Sequence, residues 1–232
     1  MKIESVLNLL EALESIPEEG NRMFRGQTRD WPLLPSIGRY PAAVKGYGDW
    51  RIFHNEVINR FLRLGHPFLN TLPNSGPASW VIGQHHGLPT RLLDTTTNPL
   101  KALFFSINQP AEDMHDGVLW VFSYNDWRED LDEEYRDYWE KELIPFLPAQ
   151  LTPRLTAQEG AFISYPLQTN QNPLEPIEKL NEKDFSHNKF VVPANAKATL
   201  RRELASLGIQ FRLLFPDLDG IARGIRLMEF GS

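Results

Sequence analysis

The 232-residue chain contains no cysteine. Disulfides, thiol nucleophiles and cysteine-ligated zinc are therefore excluded, and the composition fits a reducing compartment. No apolar run approaches the ~18 residues that a membrane span requires. The opening stretch MKIESVLNLLEALESIPEEG breaks its apolar pattern with acids and offers no small-residue cleavage site, so it is not expected to be a secretory signal. Basic surplus is missing as well: the formal net charge is −6. Nine acidic and three basic residues between Asn125 and Leu143 account for that charge, leaving the remainder formally neutral. Without a basic stripe, nucleic acid is disfavoured as a partner. The Gly-x-Ser-x-Gly elbow of serine hydrolases and the Gly-x-x-x-x-Gly-Lys phosphate loop are also absent. These absences leave a soluble cytoplasmic protein as the default expectation.

A 41% hydrophobic chain of this length can bury one large core, and no linker divides it, so residues 1–232 are read as a single domain. Val6, Leu9, Leu10 and Leu13 predict a helix over about residues 4–14. Arg22 to Gln27 reads as a short strand, and Gly117 to Tyr124 as the clearest one. Asp49 caps a second helix whose buried stripe is Trp50, Phe53, Val57, Phe61 and Leu64. Ala161 to Tyr165 and Lys189 to Val192 are further strands, separated by a polar surface excursion over residues 166–188. Leu200, Leu204 and Leu207 mark a helix ending at Gly208, and Pro216 is placed in the first turn of the last helix. Trp127, Leu131, Tyr135, Tyr138 and Trp139 put an aromatic face on a helix within the acidic segment, a natural contact surface for a protein partner. Helices and strands mix without βαβ alternation. The expected class is α+β, a mixed small sheet flanked by several helices.

The densest polar stretch lies between two apolar segments, from Trp80 to Ile107. Pro99 suits a helix's first turn, with Asn98 or Thr97 as its cap. Asp94, Thr95, Thr96 and Thr97 would then sit at that helix's positive end, suited to an anionic or oxygen-rich ligand; caps and tight turns use the same residues. His85 and His86 point about 100° apart on a helix and cannot share a metal, so no metal is expected, and one of them is a candidate acid–base group. In Phe24-Arg25-Gly26-Gln27, Arg25 can clasp a phosphate or carboxylate with two parallel hydrogen bonds while Gly26 admits close approach of a ligand. The alternative is a structural pair between Arg25 and Asp94. Gln158-Glu159-Gly160 enters the Ala161 strand, a common placement for a catalytic carboxylate.

Four separated pieces, Phe24-Arg25-Gly26, Gln84 to Asp94 (QHHGLPTRLLD), Ala157 to Phe162 and Leu214 to Gly220 (LFPDLDG), resemble the FRG-domain family of bacteria and their phages. The resemblance covers roughly residues 20–225. It implies that Arg25, the Gln84 to Asp94 stretch, Gln158 and the Phe215 to Gly220 turn come together. A more distant likeness to ADP-ribosyltransferases of the Arg-Ser-Glu type implies NAD as substrate. By that likeness Arg25 with Gly26, Gln27, Arg91 and Gln158 holds the nucleotide, and Thr95, Thr96 and Thr97 support the ribose. Glu159, His86 and Asp94 are the candidate catalytic groups. The usual pair of glutamates before a strand is missing; Glu140-Lys141-Glu142 has the spacing but is read as a solvated face. The implied activity is NAD-consuming transfer to a macromolecular acceptor, or NAD hydrolysis, as in a toxin or phage-defence effector. The alternative is a non-catalytic module that binds a nucleotide or a protein.

Overall fold

The computed structural model describes residues 1–17, 20–69, 73, 76–125, 128, 139–149, 152–180 and 185–230. Its helices are α1 (Val6–Glu14), α2 (Trp50–Gly65), α3 (Gly76–His85), α4 (Pro99–Ile107), α5 (Pro153–Ala157), α6 (Lys197–Ser206), α7 (Phe211–Leu214) and α8 (Leu218–Phe230). Its strands are β1 (Asn21–Gln27), β2 (Leu92–Thr96), β3 (Gly117–Tyr124), β4 (Ile144–Phe146), β5 (Gly160–Ser164) and β6 (Phe185–Val192). The strands form one sheet in the order β4-β5-β2-β1-β3-β6, and the class is α+β. Where a mixed sheet was expected, every strand pairing among the described residues is antiparallel, and parallel contacts there are confined to isolated bridges such as Lys2 with Val191. Because β2 and β3 each run antiparallel to β1, they are parallel to one another, and α4 lies on the crossover that carries the chain from β2 past β1 to β3.

Local signals fixed several boundaries. Ser5 and Asp49 cap α1 and α2 by accepting from backbone N–H groups three residues on. Asn98 does the same for α4, with Pro99 in the first turn. Gly208 follows α6 with φ +82, and Ile209 N donates back to Leu204 O at 2.8 Å. Pro216 lies outside α8; the Asp217 side chain accepts from Gly220 N at 2.6 Å and starts that helix instead.

Two apolar layers cover the sheet. On one face α1, α4 and α6 bury Leu9, Leu103, Ile107, Leu200 and Leu204 against Phe24, Leu119, Val121 and Phe190. α4 crosses β1 so closely that a Cβ on Gly26 would stand 1.9 Å from the Ala102 carbonyl oxygen. Gly26 thus makes room for a helix. The opposite face carries Met23, Leu93, Trp120, Phe122 and Ile163 under Leu33, Ile37, Trp50 and Phe53. Residues 166–180 belong to this layer: Leu167, Leu174 and Ile177 are buried, and Trp50 Nε1 donates to Asn172 O at 2.7 Å. The expected surface excursion is therefore a packed cover, its few apolar residues being the ones turned inward, and Phe185 to Asn188 join β6.

A third cluster, under β4 and β5, holds Ile58, Trp80, Trp139, Phe146 and Phe162. It rotates the buried stripe of α2: His54 and Ile58 are inside, while Leu64 is exposed. Most of the segment expected to be an acidic helix lies outside the described residues. No helix among the described residues is long and apolar enough to cross a membrane.

Candidate functional site

β1 pairs with β3 along its whole length, and β2 with β5 likewise, yet β1 and β2 meet at the single pair Phe24 and Thr96. Beyond that pair no further ladder joins them. The Asp94 carbonyl, which a continuous ladder would satisfy through backbone N–H, instead accepts from the Arg25 guanidinium at 2.6 Å. A cavity of about 720 Å³ opens at this parting of the sheet. Its walls come from residues 24–28 of the β1 end, residues 94–96 of β2, the segment after β1, the ends of α3 and α4, and α5. That volume lies in the range of ligand pockets for nucleotide-sized molecules.

The cavity's charge opposes that of the chain. Arg25, Arg39 and Arg154 line it, with Asp94 as the one acid among the lining residues. Arg25 has only 13% of its side chain exposed, and its Nε is buried without a hydrogen-bond partner. Burial pulls the Arg25 pKa below the usual arginine value; Asp94 opposes the shift and the neighbouring Arg39 adds to it. A desolvated guanidinium beside a second cation is disposed to take an anion.

Asp94 is held by a directional chain of hydrogen bonds. Thr90 Oγ1 donates to Gln84 Oε1, which fixes the amide; Gln84 Nε2 then donates to Asp94 Oδ1 at 2.7 Å and to Leu92 O at 3.3 Å. α3 can end its last turn beside β2 because Gly87 takes φ +83 and Leu88 N returns to Gly83 O at 2.9 Å. His85, the last residue of α3, lines the same cavity, with Nδ1 3.4 Å from Thr152 Oγ1. Burial lowers the pKa of His85, and the charges of His86 and Arg154 lower it further against Asp217, which favours the neutral ring. The outer wall is stapled by buried Lys197, whose Nζ donates to Thr28 O and to Glu112 O, each at 2.9 Å. Burial keeps the Lys197 pKa below its usual value.

Of the residues singled out in the sequence, Arg25, Gly26, Gln27, Asp94, Thr95, Thr96 and Gln158 line the cavity. Several of their polar groups are already engaged. Gln27 Oε1 accepts from Trp120 Nε1 at 3.1 Å, Thr95 Oγ1 meets Met23 Sδ at 3.3 Å, and Thr96 Oγ1 donates to Gln158 O at 2.7 Å. Gln158 Nε2 donates to Leu214 O at 3.0 Å, and Arg154 lies 4.5 Å over the Phe215 ring, which ties α5 to the turn before α8.

Glu159, His86, Arg91 and Thr97 are not among the lining residues. Glu159 takes a left-handed backbone, φ 46, at the end of α5; its carboxylate accepts from Lys101 Nζ at 2.8 Å and Asn98 Nδ2 at 3.3 Å. Lys101 first, and Asn98 after it, hold the Glu159 pKa below the carboxylate range. Thr97 N donates to Glu159 O, joining the same corner. His86 turns towards Phe61. Arg91 is buried, 4.8 Å over the Trp80 ring, and its nearest carboxylate oxygen is Glu140 Oε1 at 3.6 Å. Burial pushes its pKa down to about 10 against the pull of Glu140. Glu140 also receives Arg51 at 3.0 Å, so it is a structural clamp and not a solvated side chain. His85, one of the two histidines of the Gln84 to Asp94 motif, lines the cavity; Arg39, Arg154 and Trp31 enter the site without a motif to announce them.

An α+β domain with an arginine-lined cavity at a parted sheet is the class that fold and site define. Residues 20–115 match the family model of the FRG domain, which supports the FRG-domain family. The match runs from β1 through α4 and holds Arg25, Arg39, Gln84, His85 and Asp94; Arg154 and Gln158 fall outside it. No curated protein and no solved structure matches the chain.

Proposed function

We propose that the cavity between β1 and β2 binds NAD and that the protein cleaves the bond between nicotinamide and ribose. The observation that carries this reading is the convergence of Arg25 and a Gln84-oriented Asp94 on one cavity. The arginines supply the phosphate contacts. Asp94 supplies a negative charge for the oxocarbenium-like centre at the ribose C1′. As the C1′–N bond breaks, its electron pair passes to the nicotinamide ring and cancels the ring's positive charge. Water, or an acceptor nucleophile, adds at C1′ and releases its proton to neutral His85. With water the products are nicotinamide and ADP-ribose; with a macromolecular acceptor the outcome is ADP-ribosylation. NAD loss of this kind is the action expected of a bacterial toxin or phage-defence effector.

One observation favours a second reading, a nucleotide-binding module without chemistry: among the described residues Asp94 is the single carboxylate lining the cavity, and Glu159 is committed to Lys101 and Asn98. Incubation with NAD, with nicotinamide release followed by chromatography, separates the two. Release that Asp94→Asn abolishes supports the enzyme. Binding without release supports the module. Release undiminished in both Arg25→Ala and Asp94→Asn would reject this site.

A further inference from the structure

We infer that Trp31 is the base-recognition platform of the cavity: its indole stacks on the planar base of a bound nucleotide while Arg25 and Arg39 hold the phosphates. The inference rests on the nucleotide reading above and assigns a specificity role that the family match does not supply. Trp31 is 44% exposed and lines the cavity mouth. An indole left in water forgoes the burial that every other described tryptophan obtains. It is also not free to fold inward, because the chain around it is fastened on both sides. Arg29 pairs with Glu112 and Asp30 with Lys189. Leu33 N donates to Glu178 Oε2 at 3.0 Å, and Thr90 N donates to Ser36 Oγ at 2.9 Å. These four ties hold the backbone that carries the ring at a fixed place beside a cationic cavity. An indole has only two side-chain torsions and loses little freedom when a ligand stacks on it.

The chemistry that fits an aromatic face beside two guanidiniums is a base joined to phosphate, and neither phosphate nor sugar phosphate alone uses both. Stacking of one base on an aromatic side chain is worth roughly 1–3 kcal/mol by alanine substitution, so losing it weakens binding by about five-fold or more. The test is calorimetric titration of the folded chain with ADP, with ribose 5-phosphate and with inorganic pyrophosphate. Trp31→Leu, which keeps apolar bulk but no π face, is expected to weaken ADP by about ten-fold and leave pyrophosphate unchanged, while Trp31→Phe retains ADP binding. Wild-type ADP affinity in Trp31→Leu overturns the inference, as does an equal loss for pyrophosphate. If wild type binds none of the three ligands, the nucleotide reading itself fails, and that outcome is distinct from ADP binding that ignores Trp31.

Discussion

The guanidinium of Arg25 takes the place of a backbone partner for the Asp94 carbonyl, at 2.6 Å, where β1 and β2 stop pairing. One side chain therefore closes the gap in the sheet and forms the cationic floor of the cavity. The structural alternative for Arg25 is realised through the Asp94 carbonyl, and the phosphate contact proposed for the same residue falls on a side chain that lines the cavity. The carboxylate itself is more distant, 3.9 Å from the guanidinium, so Asp94 stays available to a ligand.

Gln84→Ala is expected to lower kcat for nicotinamide release while leaving the KM for NAD within about three-fold, since it frees Asp94 without touching the arginines. The stability cost should be on the order of 1 kcal/mol, one hydrogen-bonded amide. Steady-state kinetics with a urea melt would decide; a large rise in KM with kcat intact would show that Gln84 contacts the substrate directly.

Gly26→Ala should destabilise the fold by on the order of 3 kcal/mol, because the new Cβ must displace α4 backbone. Urea unfolding measures this. A shift under about 0.5 kcal/mol would mean that α4 does not sit against β1 as described.

Glu159→Gly removes a left-handed backbone from a side-chain-bearing residue and an ion pair that is half exposed, two effects that oppose each other. Stability should change by less than about 1 kcal/mol, and NAD turnover should persist at near wild-type rate. Abolished turnover in a folded Glu159→Gly protein would return the catalytic carboxylate to Glu159 and remove it from Asp94.

Acid should unfold the protein partly through His54. Its ring is buried against Trp80, both nitrogens lack hydrogen bonds, and burial first, then Arg91, holds its pKa well below 6.5. The unfolded chain binds the proton more readily, so this contribution is complete above about pH 6.5 and is lost as pH falls towards the folded pKa. The slope is at most about 1.4 kcal/mol per pH unit. His54→Leu should flatten the fall in Tm between pH 7 and pH 5; an unchanged fall would assign the acid sensitivity to other groups.

Elements with local chemistry were legible in the sequence: the caps at Asp49 and Asn98, the Gly208 stop, and the uniformly apolar, β-branched and aromatic β3. β2 was not, because Asp94, Thr95 and Thr96 are also the residues of turns and helix caps, and only tertiary pairing with β5 makes them a strand. The stripe of α2 was misjudged because a histidine reads as polar while His54 lies inside. Arg91 sits in an elbow rich in site residues, yet its environment comes from Trp80 and from Glu140, far along the chain. Half of the cavity was visible as motif, His85 included; Arg39, Arg154 and Trp31 are placed there by topology alone.

The most direct test of the nucleotide site is calorimetric titration of NAD into the wild type and into Arg39→Ala, a variant that leaves the Arg25 tie between β1 and β2 in place. The wild type should bind, and Arg39→Ala should bind about ten-fold more weakly, the loss of one charge-assisted phosphate contact. A folded wild type that takes up no NAD, or an Arg39→Ala variant with undiminished affinity, would contradict the account.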